Sequence, residues 1–418
     1  MKNLPFKFLT LIIISMLLGI LLGSTIKHYR PWFGNYYYSH LNYYINLIKK
    51  NKKIIKNNQK NNLDIIIIEG NSFDIEVKAT NLVFNDRVAS AYAKKNNSGT
   101  SFEIFTHEGL KITNEENIKL QLPQEFYLGS GTGGLKNIFL INNVHFGLIT
   151  AHFPGCVTLM IYRFTDNKEI LRGDCLPDYN EIDYNGFGAA SINYKGQTLI
   201  SIGTPTTTSN NIDNLSQNDK SIYGKIISIN NELISQNIIN NNFTIFSKGH
   251  RNPQGLVLIN NQIISTEHGP RGGDEINLIK KDKNYGWPVV SYGTRYLNDK
   301  NGKSYKTNHA KNNFEEPIFS FVPSIGISDI SKCPKNLINY YENSNCLLVL
   351  SLREQSIFVI LLDENYKKII FSEKHIVSKR LRKFVRNPSH ELFEENDNSF
   401  YASEDFSGIY KFNFINFR

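Results

Sequence analysis

Residues 249–292 read GHRNPQGLVLINNQIISTEHGPRGGDEINLIKKDKNYGWPVVSY. Two β-branched apolar runs, 256–259 and 263–266, flank Asn260-Asn261. Asparagine tolerates positive φ, so the pattern predicts strand, tight turn, strand. Around this hairpin stand Gly249, His250, Arg251, Asn252, Pro253, then His268 to Glu275, then Tyr285-Gly286-Trp287. A plain hairpin needs none of these. Charged residues and special backbone gathered on the loops of a β scaffold point to a site.

Outward from the hairpin the same texture continues. Short apolar runs at 65–68, 73–77, 118–122, 146–150, 199–202, 226–229, 347–352 and 357–362 are separated by Asn, Asp and Gly turns. No long helical period competes with them. So many strands over residues 63–418 exceed a simple sandwich, and a β-propeller accommodates them by repeating four-stranded blades about an axis. Internal repeats are too faint to number the blades.

The chain has 418 residues and a net charge of +9. Residues 1–63 hold ten Lys or Arg and no acid, leaving −1 for the rest. A nearly neutral body argues against nucleic acid, and the basic stem suits an anionic membrane surface. Residues 8–26 are uncharged and apolar, long enough to cross a bilayer, with no small-x-small cleavage site near Leu22-Gly23-Ser24. We expect a short cytoplasmic start at 1–7, an anchor at 8–26, a stem at 27–62, helical over 41–55, and an exported body at 63–418. Lys2 and Lys7 before the span are matched by Lys27 and Arg30 after it, so charge alone does not orient it. The cysteines are Cys156, Cys175, Cys333 and Cys346. Either close pair would form a disulfide in an oxidising compartment, and four buried thiols fit equally well.

The order GHRNPQG, EHGPRGGDEINLI, NYGWPVVSYG resembles the soluble quinoprotein aldose (glucose/sorbosone) dehydrogenases. That resemblance implies a six-bladed propeller of about 59 residues per blade, a periplasmic location, and oxidation of a sugar at C1 by pyrroloquinoline quinone (PQQ) with calcium. It puts Arg251 and Asn252 against the cofactor, Arg353 beside it, and Arg380 and Arg382 (in SKRLRKF) on it. Arginine suits this role because its planar fork pairs with carboxylates and stays charged. Where the family's motif continues with Asp, this chain has Lys383. The resemblance assigns Gly269 and Pro270 to a catalytic calcium held through carbonyls, and Glu275 with the Tyr285 carbonyl to a structural one. Trp287 either walls the pocket or packs between blades.

One part departs. The family's catalytic His falls at Gly186 in YNGFGAASI, and its partner Arg at Ala190. His268 and His250 are the substitutes inside matched motifs, with His145 and His152 further away. Two expectations follow. One is a membrane-anchored sugar dehydrogenase with a rearranged base and an undefined electron acceptor. The other is a non-catalytic propeller that binds PQQ, calcium or sugar.

Overall fold

The computed structural model describes residues 65–418 apart from 98, 130, 178–181, 206–211, 236–242 and 297–303. All of it lies in the compact unit Leu63–Arg418. The anchor and stem expected at 8–62 fall outside the described residues. Among those described, no helix is long and apolar enough to cross a membrane.

The body is all-β, with only two α-helices described, Asn231–Ser235 and Lys335–Tyr340. Its strands form six sheets. Blade one begins at the axis with Val88–Asn96, blade two with Leu135–Ile141, blade three with Gly188–Tyr194. Blades four, five and six begin with Pro253–Ile259, Ile327–Lys332 and Leu381–Phe384. These six strands touch in a closed ring. Blade six is completed by Asp74–Val83, which pairs with the last strand, Gly408–Ile415, so the two ends of the body are stitched into one sheet. The predicted turn is present, with Asn260 at φ 47° and Asn261 at φ 63°. The run at 118–122 is mostly not strand: only Asn117–Lys119 pairs, and Leu120 and Leu122 pack against the core instead.

Six apolar clusters lie in the wedges between neighbouring blades. One joins Phe139 and Leu148 of blade two to Phe187 and Ile200 of blade three. Another joins Leu348 and Val359 of blade five to Phe400 and Phe412 of blade six. A middle strand therefore has a neighbour on both faces and reads as a continuous apolar run, as in Ser356–Leu362, where every residue is buried. Both cysteine pairs are bonded, Cys156–Cys175 and Cys333–Cys346, and no described cysteine is free.

Each axial strand carries a register shift near its start: Val88/Ser90, Leu135/Asn137, Gly188/Ala190, Pro253/Gly255, Ile327/Ile330 and Leu381/Lys383. A bulge bends its strand and re-aims the extra side chain. Lys136 and Arg382 are two such extra residues. In every blade the second strand runs antiparallel to the first, back toward the end where the first began. The loops before each first strand and those between second and third strands therefore share one face.

Candidate functional site

That face collects almost every residue the sequence singled out. The loop 249–252 leads into blade four, 268–273 joins its second and third strands, and 352–355 is the corresponding turn of blade five. Arg251 and Arg353 thus stand at the same end of the propeller.

Arg251 is only 7% exposed. Its Nη1 donates to the His268 carbonyl at 3.0 Å, and its guanidinium lies 5.4 Å from the Trp287 ring. Trp287 stands 5.1 Å from Tyr305, which Arg295 covers at 4.4 Å. Two cations thus flank a pair of aromatic rings along this side. Trp287 both packs and contacts the site, so the two roles weighed for it are not exclusive. Asn252 is buried, accepting from Gln254 Nε2 at 2.6 Å while its carbonyl receives the His268 amide.

The two substitute histidines separate. His250 is fully buried, with Nδ1 at 3.1 Å from Glu267 Oε2, Nε2 at 2.8 Å from Ser247 Oγ, and its ring stacked on Tyr285. Both nitrogens are engaged, so it braces the loop. His268 keeps 20% of its side chain exposed, and its Nδ1 is 3.9 Å from Asp274 Oδ1. His145 lies at the opposite end, beside the turn Asn142-Asn143. His152 stacks on Tyr127. Gly186 sits in the short helical turn Tyr184–Phe187 with its carbonyl where a Cβ on Gly203 would intrude, and it offers no side chain. Ala190 is buried on the axial strand.

Asp274 organises the face. Its Oδ1 accepts the Gly269 amide at 3.0 Å, and its Oδ2 accepts Gly326 at 2.7 Å and Ile327 at 3.0 Å. Burial pushes its carboxyl up, but His268, the Ile327 amide and Ser324 outweigh burial and hold it below the usual range. Gly269 must be glycine, since a Cβ there would come 2.1 Å from the Gly273 carbonyl. Pro270, Glu275 and Tyr285 line the same small cavity as Gly269 and Arg251. Glu275 is pushed up to about 8 by burial and by Glu267. Its Oε2 accepts from Asn277, and Oε1 stands 3.7 Å from His309 Nε2. Among the described residues no three His, Cys, Asp or Glu side chains are grouped to hold a metal.

Two of the C-terminal arginines part company. Arg382 donates through Nε to Asp405 Oδ2 at 2.8 Å and is mostly buried. Arg380 is exposed on the rim, its amide bonded to Glu404. Lys383, which stands where the family's motif has Asp, is buried on the axis and donates to the Gln254 carbonyl at 2.9 Å.

The sequence reading missed Arg87, Lys136, His107 and Asp213. Arg87 and Lys136 stand near the starts of axial strands, the blade position that Arg251 and Arg382 also occupy. A cation at the start of four of the six axial strands was the available signal, invisible until the blades were aligned. Asp213, in the long loop over blade three, is pushed up to about 6 by burial against the pull of Arg251. The folded state therefore holds more protons than the unfolded one between 3.8 and about 6. Stability should fall as pH rises through that window, by about 3 kcal/mol at most. Urea melts across it should show the slope, and Asp213→Asn should flatten it.

The class these observations define is a six-bladed propeller with cations from several blades gathered on one face. Within that class, residues 175–401 match the family model described as Glucose / Sorbosone dehydrogenase, more than half the chain, and the protein belongs to that family. It is 32% identical over 185 residues to the uncharacterized protein slr1608 of Synechocystis, covering 42% of this chain and 43% of that one. It is 40% identical over 93 residues to the aldose sugar dehydrogenase YliI of Escherichia coli, covering 21% and 24%. The chain thus spans less than half the length of the curated relatives it matches. Among solved structures, the apo soluble aldose sugar dehydrogenase of Escherichia coli superposes with a TM-score of 0.62 at 20% identity, over 81% of this chain and 99% of that one. The PQQ-bound aldose sugar dehydrogenase of Streptomyces coelicolor gives 0.56 at 16%, over 83% and 100%. At these identities the two structures speak to the fold.

Proposed function

We propose that this protein is a PQQ-dependent dehydrogenase that oxidises an aldose at C1, exported and held to the membrane by residues 8–26. The observation that carries the reading is the convergence of Arg251, Arg353 and Arg382 on one face of a propeller of this family. Arg251 and Arg382 are desolvated forks suited to a quinone's carboxylates, with Arg353 at the rim. The side chain of Trp287 and the ring of Tyr305 would wall the cofactor from water. When bound, the quinone supplies the two-electron acceptor. The Gly269 and Pro270 carbonyls would hold calcium against it, with Glu275 and the Tyr285 carbonyl serving a second ion. Two disulfides among the four cysteines support an oxidising compartment.

Removal of the hydroxyl proton then falls to His268. Its Nε2 is the atom left to accept a proton, because Nδ1 faces Asp274, which orients the ring. The absence of a side chain at Gly186 favours the second reading, a propeller that binds the quinone without turnover.

The full chain in detergent should take up PQQ when calcium is present, followed by the quinone's absorbance change. No change with or without calcium would remove both readings. Arg251→Ala should weaken uptake by roughly 30- to 150-fold, about 2–3 kcal/mol, as for a buried anchor. Arg382→Ala should cost less, since Asp405 already neutralises that fork. The reverse order would place the cofactor over blade six.

A further inference from the structure

Blades one and two contribute cations that the reading above does not use. Arg87 stands in the loop before blade one, and Lys136 is the bulge residue heading blade two. Both lie outside residues 175–401, the stretch that matches the family model. Arg87 Nη1 donates to Asn185 Oδ1 at 2.8 Å, Nη2 donates to His107 Nε2 at 3.2 Å, and Nη2 also reaches the Gly131 carbonyl. These acceptors are neutral. His107 carries no proton on Nε2, and burial with Lys136 and Arg87 nearby holds its ring down to about 3.

Lys136 is 9% exposed and donates to the Thr132 carbonyl. Burial, then Arg87, brings its ammonium down to about 7, with Arg382 adding to the effect. Three carboxylates stand near. Asp405 is bound by Arg382. Asp86 accepts the Arg87 and Glu108 amides. Asp183 accepts the Asn185 amide and is exposed on the rim. The direct hydrogen-bond partners of the Arg87 guanidinium and the Lys136 ammonium are thus neutral, and Asp86, Asp183 and Asp405 offset the repulsion between the two cations only from further off. Burying like charges together is costly unless an anion completes the set.

We propose that Arg87 and Lys136, with Asn185, form an oxyanion subsite at the mouth that takes a carboxylate or phosphate carried by the sugar. The proposal rests on the quinone being held by Arg251, Arg353 and Arg382, and it names an acidic sugar as the substrate class. Asn185, in place of a titratable group, suits that role: its amide orients Arg87 and has an N–H face left to donate to the same oxyanion.

The test is direct binding to the full chain in detergent, without quinone, so that it does not depend on oxidation. Glucuronate, glucose 6-phosphate and glucose are titrated by calorimetry. At least one acidic sugar should bind tenfold or more tighter than glucose, with affinity falling as salt is raised; which one binds separates carboxylate from phosphate. Arg87→Gln and Lys136→Met should each abolish that preference and leave PQQ uptake unchanged. Equal affinity of the unaltered protein for all three sugars overturns the proposal, whether or not the variants fold. So does a loss of PQQ uptake in either variant with the sugar preference intact, which would assign these cations to the quinone. If acidic sugars bind but PQQ does not, the subsite stands and the dehydrogenase reading fails.

Discussion

His268→Gln is expected to lower kcat by roughly 10²- to 10⁴-fold while PQQ uptake is retained, because a general base contributes about that much to proton removal. Glutamine keeps the ring's approximate reach and its place beside Asp274 but accepts no proton at working pH. The matching control is His250→Gln. His250 has both ring nitrogens engaged, by Glu267 and by Ser247, inside the protein. Its loss should therefore appear in thermal stability, with kcat reduced only as far as the 249–252 loop is disturbed. Dye reduction at saturating sugar, with uptake measured on the same samples, distinguishes the two. Unchanged turnover in His268→Gln would dismiss it as the base. No turnover even in the unaltered protein, alongside intact uptake, would establish the binding-only reading.

Asp274→Ala should destabilise the body by roughly 3–5 kcal/mol, the range for breaking a buried charged network. Three backbone amides, those of Gly269, Gly326 and Ile327, would lose their acceptor within one change. Leaving buried donors unsatisfied is more damaging than the modest net worth of the bonds themselves. The same change frees the 268–273 loop of blade four and the segment that Arg353 abuts in blade five, so quinone uptake should fall with stability. Asp274→Asn keeps one acceptor oxygen and should lie between. Because the folded carboxyl is held below its ordinary value of 3.8, its contribution is present above that pH and is lost as pH falls through the folded value. Urea melts of the three proteins at neutral pH and near pH 3 test this. Equal stability of Asp274→Ala and the unaltered protein at neutral pH would refute the role given to Asp274.

The propeller was legible because its rule is local. A strand buried on both faces must be apolar throughout, and runs such as 256–259, 263–266 and 357–362 state that directly. The Asn260-Asn261 turn was equally plain, since few residues but Asn and Gly adopt consecutive positive φ. The run at 118–122 failed for the complementary reason. Its leucines are apolar to fill the wedge between blades one and two, which a chain leaving a sheet can do without pairing.

In the site, Arg251, Gly269 and Glu275 could be read because they share one hairpin, and adjacency in sequence carried their adjacency in space. The motif around Arg380 and Arg382 could be read only in part. Residues two apart in a strand share a face, but the bulge at Leu381/Lys383 breaks that period. It turns Arg382 inward to Asp405, Lys383 to the axis, and leaves Arg380 on the rim.

Composition, turn chemistry and apolar runs by themselves determined an all-β body, its repeating strands and one motif-rich hairpin, because these are short-range consequences of backbone sterics and burial. Only the closed ring decided which cations meet. Arg87, Lys136, Asn185 and Arg382 come from four blades, 295 positions apart at the extreme. No local pattern could bring them together. Closure by the pairing of Asp74–Val83 with Gly408–Ile415, and a bulge repeated at every axial strand, place them at one mouth.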